Sequence, residues 1–84
     1  MEKLINVNKT IGIRIKKILK EKEISKYRLE KITGISHSTL ASLIGEKKGS
    51  CTLRTLMIII RALGISMSEF FDDPIFESDD LFLD

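Results

Sequence analysis

The 84-residue chain contains little of what disulfide, metal or membrane chemistry requires. Cys51 is the single cysteine, so no internal disulfide can form, which suits a reducing cytosol. With one histidine and one cysteine, the sequence offers no cluster of metal ligands, and we predict neither a metal nor another cofactor. The longest apolar run, Leu56–Ile60, stops at Arg61 and is far shorter than the roughly 20 residues of a membrane span.

Signals for export and for catalysis are also missing. No apolar core follows the first basic residues, so we expect a cytoplasmic protein. The sequence has no glycine-rich phosphate loop before a helix, and nothing in it suggests a carboxylate that orients His37 beside Ser36 and Ser38. We therefore predict that the chain is not an enzyme. Internal repeats and the alternation typical of strands are absent from the sequence as well.

Charge is divided unevenly along the chain. All 14 basic residues lie at or before Arg61 and share residues 1–68 with five acidic residues, whereas seven acidic residues and no basic residue lie from Glu69 onward. Residues 1–68 thus carry a net charge of +9 and residues 69–84 a net charge of −7. A basic body fits a polyanionic partner, and an acidic end must be solvated or meet a positive surface.

Apolar residues at helical spacing predict an all-α chain of five short helices. In the first, about residues 8–22, an isoleucine stripe faces inward while Arg14 and the lysines face water. Ser25 can cap the second helix, in which Leu29 and Ile32 share a face. The expected inward residues of the first, third and fourth helices are Ile11, Ile15, Ile18, Leu19, Leu40, Leu43, Ile44, Leu56, Ile59, Ile60 and Leu63.

The second and third helices are joined by a tight turn at Gly34, within the stretch ISKYRLEKITGISHSTLASLIGEKK. Glycine supplies the positive φ that such a turn needs, and Ser36 can cap the third helix. Thr52 and Gly64 can begin and end the fourth helix, Leu53–Leu63. A capping box starting at Ser66 opens the fifth, Met67–Phe71, before Pro74.

These segments, in this order and spacing, resemble the Cro/cI-type (Xre) family of helix-turn-helix regulators over roughly residues 11–71. The resemblance implies a compact five-helix, lambda-repressor-like domain over residues 9–73, between a lead-in (1–8) and an acidic, apolar tail (74–84). It implies that the third helix enters the major groove of double-stranded DNA, usually as a homodimer on a two-fold operator. The implied activity is sequence-specific transcriptional regulation, most often repression.

The resemblance assigns roles to individual residues. The positions that would reach base edges are His37, Ser38 and Ser42. The positions that would hold the phosphate backbone are Lys26, Ser36, Thr39, Lys47 and Lys48. The alternative interpretation is that these polar and basic residues form a solvated surface that makes no contact with DNA.

Several positions depart from the family pattern, and three of them bear on the core. Glu30 occupies a place that is usually alanine, and a carboxylate cannot be buried there without a partner. Leu19 and Ile44 replace an arginine–glutamate pair that many members bury, and an apolar replacement of both partners is often neutral or stabilising.

Some residues have two open interpretations. Tyr27 can stack over the DNA backbone or close the edge of the core, and we favour the core. Cys51 is expected to be a packing residue, and Phe70 and Phe71 to seal the base of the bundle. Apolar residues 75–84 can form a dimer contact or a disordered tail. The alternative function is a protein-interaction module of the same fold, antitoxin- or anti-repressor-like, whose acidic tail binds another protein.

Overall fold

The computed structural model describes residues 5–44, 51–77 and 81–82 of the chain. Over these residues the architecture is all-α, as predicted, with helices α1 (Val7–Lys22), α2 (Lys26–Thr33), α3 (His37–Ile44), α4 (Leu53–Leu63) and α5 (Met67–Phe70). A 3₁₀ helix, Pro74–Glu77, follows α5. Strands β1 (Ile5–Asn6) and β2 (Leu81–Phe82) pair in parallel. Two residues are too few to produce a period, so the sequence did not indicate this pair.

The helices begin and end where the capping residues predict. The Ser25 hydroxyl oxygen accepts the N–H of Arg28 at 3.0 Å, and the Ser66 hydroxyl oxygen accepts the N–H of Glu69 at 3.0 Å. Gly34 and Gly64 close α2 and α4 with φ of 76° and 74°, a region that favours glycine. Local side-chain chemistry therefore sets the helix lengths, and tertiary packing then arranges the helices.

The predicted apolar faces of α1, α3 and α4 form one core, confirming the expected packing. Ile11 and Cys51 are partly buried against its edge, and burial raises the pKa of the Cys51 thiol. Leu19 and Ile44 lie in the same cluster, as an apolar replacement of an ion pair requires. The buried apolar residues are Ile15, Ile18, Leu19, Leu29, Leu40, Leu43, Ile44, Leu56, Ile59, Ile60, Leu63 and Phe70.

Two predictions about α2 were wrong. Ile32 is 50% exposed and does not share the buried face of Leu29, and Tyr27 is 64% exposed rather than part of the core. The Lys31 Nζ lies 5.3 Å from the centre of the Tyr27 ring, and both residues line a shallow surface groove with Arg28 and Ile32. Helix α2 is short and contributes a narrower stripe to the core than its sequence spacing indicated.

The prediction that Arg14 faces water was also wrong. Its side chain is buried and forms the connection between α1 and the end of α5. Its Nε–H donates to the Phe70 carbonyl at 2.7 Å, and Nη2–H donates to the Glu69 carbonyl at 2.9 Å. Asp73 accepts Nη1–H at 3.2 Å and the Lys17 ammonium at 2.9 Å. Arg14 thus donates to two carbonyls at the end of α5, where backbone carbonyls lack intrahelical partners or, like that of Glu69, accept only from the turn that follows.

Three phenylalanine rings meet at the base of the bundle beside this network, where Phe70 is buried, as predicted, and Phe71 is exposed. The ring centres of Phe70 and Phe71 are 5.0 Å apart in an edge-to-face arrangement, and Phe76 lies 5.0 Å from Phe71. The first residues of the acidic tail therefore pack on their own chain. No helix in the described part of the chain combines the length and apolar character needed to cross a membrane.

Candidate nucleic-acid interface

Helix α3 presents two chemically different faces. Leu40, Leu43 and Ile44 are buried in the core. On the other side, His37 and Ser38 are exposed and Ser42 is half-buried. Of the three side chains predicted to read bases, His37 and Ser38 are therefore open and Ser42 is partly covered by the described part of the chain. The helix carries no lysine, arginine, aspartate or glutamate, so its outer face offers hydrogen bonds without fixed charge.

The turn before α3 is held by backbone and hydroxyl hydrogen bonds. The Gly34 N–H donates to the Glu30 carbonyl at 2.8 Å. The Thr33 hydroxyl donates to the Leu29 carbonyl at 2.7 Å and accepts the Ile35 N–H at 3.2 Å. These contacts fix how the chain leaves α2 and enters α3, so the two helices form the predicted helix-turn-helix.

A small hydroxyl network surrounds the first turn of α3. The Ser36 oxygen accepts the Thr39 N–H at 3.3 Å, which is the predicted cap. The Ser36 hydroxyl donates to the Thr39 oxygen at 2.9 Å, and the Ser38 oxygen lies 3.4 Å from that of Ser36. Since the Thr39 oxygen is the acceptor in that bond, its own hydrogen can point to an anion. The arrangement preorganises hydroxyls at the positive end of the helix dipole.

An unpredicted contact links the two helices of the motif. His37 Nδ1 lies 2.7 Å from Glu30 Oε2, although the His37 side chain is 80% exposed. The Glu30 carboxylate, whose side chain is 18% exposed, therefore has a hydrogen-bonding partner within the protein. The sequence did not suggest this carboxylate partner for His37. The two residues are seven positions apart and lie on different helices. The spacing of residues within either helix cannot predict a contact of this kind.

The cationic residues predicted to hold phosphate are only partly described. Lys26 is the first residue of α2 and is exposed, with Arg28 and Lys31 exposed on the same helix. Lys47 and Lys48 lie outside the described residues. In the part of the chain that the structure describes, no three His, Cys, Asp or Glu side chains are grouped to hold a metal ion.

The known proteins that this chain resembles are also described as helix-turn-helix proteins. The family described as the Cro/C1-type HTH DNA-binding domain matches residues 14–74. The chain is 33% identical over 63 residues to the HTH-type transcriptional regulator PuuR of Escherichia coli strain K12, and equally to PuuR of Shigella flexneri. Each match covers 75% of this chain and 34% of the relative, so the chain spans about a third of the length of these relatives.

No solved structure matches the chain significantly. The family match nevertheless covers most of the sequence and includes α2, the turn and α3. The chain belongs to the family of Cro/C1-type helix-turn-helix DNA-binding domains.

Proposed function

We propose that the chain represses transcription by binding a two-fold DNA operator as a homodimer and blocking access to a promoter. The observation that carries this proposal is the outer face of α3, where His37 and Ser38 are exposed on a helix fixed by three buried apolar residues. A rigid helix with short polar side chains on its outer face suits the major groove, where base edges present a readable pattern of donors and acceptors. Ser42, one turn further along, extends this base-reading face.

The phosphate contacts are proposed for residues that flank α3. Lys26 would contribute a mobile cation, while Ser36 and Thr39 would contribute hydroxyl groups beside the first turn of α3. Lys47 and Lys48 follow α3 in the sequence and would meet the backbone further along the groove. These contacts supply affinity and register and leave the choice of sequence to α3. Binding of this kind involves no chemical step, which is consistent with a regulator that is not an enzyme.

Dimerisation is proposed because a two-fold operator requires two copies of α3 about 34 Å apart. Residues 75–84 remain our candidate for the contact, although Phe76 packs against its own core. Sedimentation of the full chain and of a chain ending at Pro74 tests this assignment. A dimer that becomes a monomer on truncation supports it, and an unchanged mass assigns the contact elsewhere.

Selection of bound duplexes from a random-sequence DNA pool tests the function. The expected result is a palindromic motif with half-sites one helical turn apart, retained against excess competitor DNA. The affinity should fall steeply as the salt concentration rises, because bound phosphates release counterions. Enrichment of no motif would contradict sequence-specific regulation and would favour the protein-interaction module.

A further inference from the structure

We infer that Glu30 is a positioning residue that fixes the proton of His37 on Nδ1, so that neutral His37 reads a base carrying an exocyclic amino group, adenine or cytosine. This inference rests on the proposed function, since it concerns the base-reading face of α3. Its origin is the 2.7 Å contact between His37 Nδ1 and Glu30 Oε2.

The contact determines which ring nitrogen carries hydrogen. An ionised carboxylate only accepts hydrogen bonds, so the partner atom, Nδ1, must be the donor. In a neutral imidazole the second nitrogen is then an acceptor, because the hydrogen bond made by one nitrogen sets the state of the other. In the neutral ring, Glu30 therefore leaves Nε2 with a lone pair. A histidine free in water carries its proton mainly on Nε2 and would offer the opposite group.

Exposure places this lone pair where DNA can reach it. The His37 side chain is 80% exposed while Nδ1 is engaged, so Nε2 is the ring nitrogen available to a ligand. In the major groove, hydrogen-bond donors occur on the N6 amino group of adenine and the N4 amino group of cytosine. The lone pair of Nε2 would be repelled by the acceptor atoms of the other two bases, which are N7 and O6 of guanine and O4 of thymine. The contact with Glu30 thus selects between two classes of base.

Rigidity is the second consequence of the pair. His37 is the first residue of α3, whereas Glu30 belongs to α2, so the imidazole is held from both helices of the motif. Glu30 is 18% exposed, which limits the number of rotamers that its carboxylate can adopt. A side chain held in its bound conformation before association loses less conformational entropy when it binds.

Imidazole ¹⁵N spectroscopy of the free protein tests the proton position directly, because His37 is the single histidine of the chain. The measurement is made at about pH 8, above the range in which imidazoles ordinarily titrate. The wild-type chain should show a protonated Nδ1 and an unprotonated Nε2. Glu30→Ala should move the population toward protonated Nε2. A wild-type spectrum with the proton on Nε2 would overturn the inference.

Binding selection from the random DNA pool tests the consequence for specificity. The wild-type motif should contain one position per half-site with adenine or cytosine, favoured about tenfold, and His37→Ala should remove that preference. Glu30→Ala should reduce it severalfold or shift it toward guanine or thymine. In the His37→Ala background, Glu30→Ala should have no further effect at that position. If Glu30→Ala leaves the preference intact while His37→Ala removes it, Glu30 does not position the imidazole.

Two controls separate this result from a change of fold or charge. Glu21→Ala removes the same charge from an exposed position of α1 and should raise affinity for all sequences without altering base preference. Thermal unfolding should show that Glu30→Ala remains folded, since alanine is the residue that the family resemblance places there. If the wild-type chain selects no motif, the proposed function fails together with the assignment of bases, and the ¹⁵N spectrum still reports separately whether Glu30 holds the proton.

Discussion

Gly12 of α1 lies directly against the backbone carbonyl of Leu43 in α3, with no room for a Cβ between them. A glycine in the middle of a helix ordinarily costs about 1 kcal/mol relative to alanine. Here it allows α1 to approach the last turn of α3 closely. The position and tilt of α3, the helix that we propose reads bases, therefore depend on the absence of one methyl group.

Gly12→Ala should lower the free energy of unfolding by about 1–3 kcal/mol, because the added methyl group overlaps a backbone atom that cannot rotate away. Denaturant titration followed by circular dichroism measures the change. Lys16→Ala, at an exposed position of the same helix, is the control and should change stability by less than about 0.5 kcal/mol. A more stable Gly12→Ala variant would show that helix propensity outweighs the close approach.

The carboxylate of Asp73 should make stability depend on acid pH. The backbone N–H of Ile75 and the ammonium of Lys17 hold the pKa of the Asp73 carboxyl below its usual value of 3.8. A folded-state pKa below the unfolded value contributes stability that is complete above pH 3.8 and is lost as the pH falls through the folded pKa. Asp73→Asn should therefore destabilise the protein by about 2 kcal/mol near pH 7, because Arg14 and Lys17 lose a charged partner.

Thermal unfolding between neutral and acid pH checks this expectation. The difference in melting temperature between the wild type and Asp73→Asn should narrow as the pH falls below 3.8. Asp72→Asn, at the exposed neighbouring position, serves as the control and should leave the acid limb of the curve almost unchanged. A difference that stays constant with pH would mean that the wild type and Asp73→Asn differ in stability for a reason other than the charge of this carboxylate.

Lys26 should contribute affinity without sequence preference. Lys26→Ala should weaken binding to all duplexes about equally and reduce the slope of log affinity against log salt by about 1, as expected for the loss of one phosphate contact. Fluorescence anisotropy at several salt concentrations measures both quantities. Lys16→Ala on α1 is the matched charge control. An unchanged salt slope in Lys26→Ala would remove this lysine from the backbone contacts.

Glu23 closes α1 in the left-handed region, with φ of 56°. A side chain at that φ crowds the backbone, so Glu23→Gly should raise stability by about 0.5–1 kcal/mol. For a chain of this size the corresponding rise in melting temperature is about 3–6 °C. Glu21→Gly, inside α1, should have the opposite sign. Equal destabilisation by both glycines would indicate that the strain at Glu23 is negligible.

Features that depend on neighbours in sequence were predictable, whereas features that depend on how helices meet were not. Ser25, Gly34, Thr52 and Gly64 mark helix ends through local hydrogen bonds and φ angles, so the helix bounds followed from the sequence. The position of α3's outer face followed in the same way, from the period of its buried leucines.

The errors arose where a polar or apolar side chain had two possible environments. Arg14 looks like its lysine neighbours in sequence, yet its side chain is buried and donates to the carbonyl groups of Glu69 and Phe70. Tyr27 and Ile32 are apolar enough for the core, but α2 turns them to the surface. The Glu30–His37 contact crosses a turn, and only the tertiary arrangement of two helices creates it.

The eight residues of α3, HSTLASLI, contain no permanently charged side chain. Any long-range attraction to a polyanion must therefore originate elsewhere on the molecule, because the outer side chains of α3 act only at contact distance. If the outer residues of this helix were exchanged for other uncharged residues, the protein would bind a different target sequence. The rate of diffusional encounter with that target and the dependence of binding on ionic strength would not change.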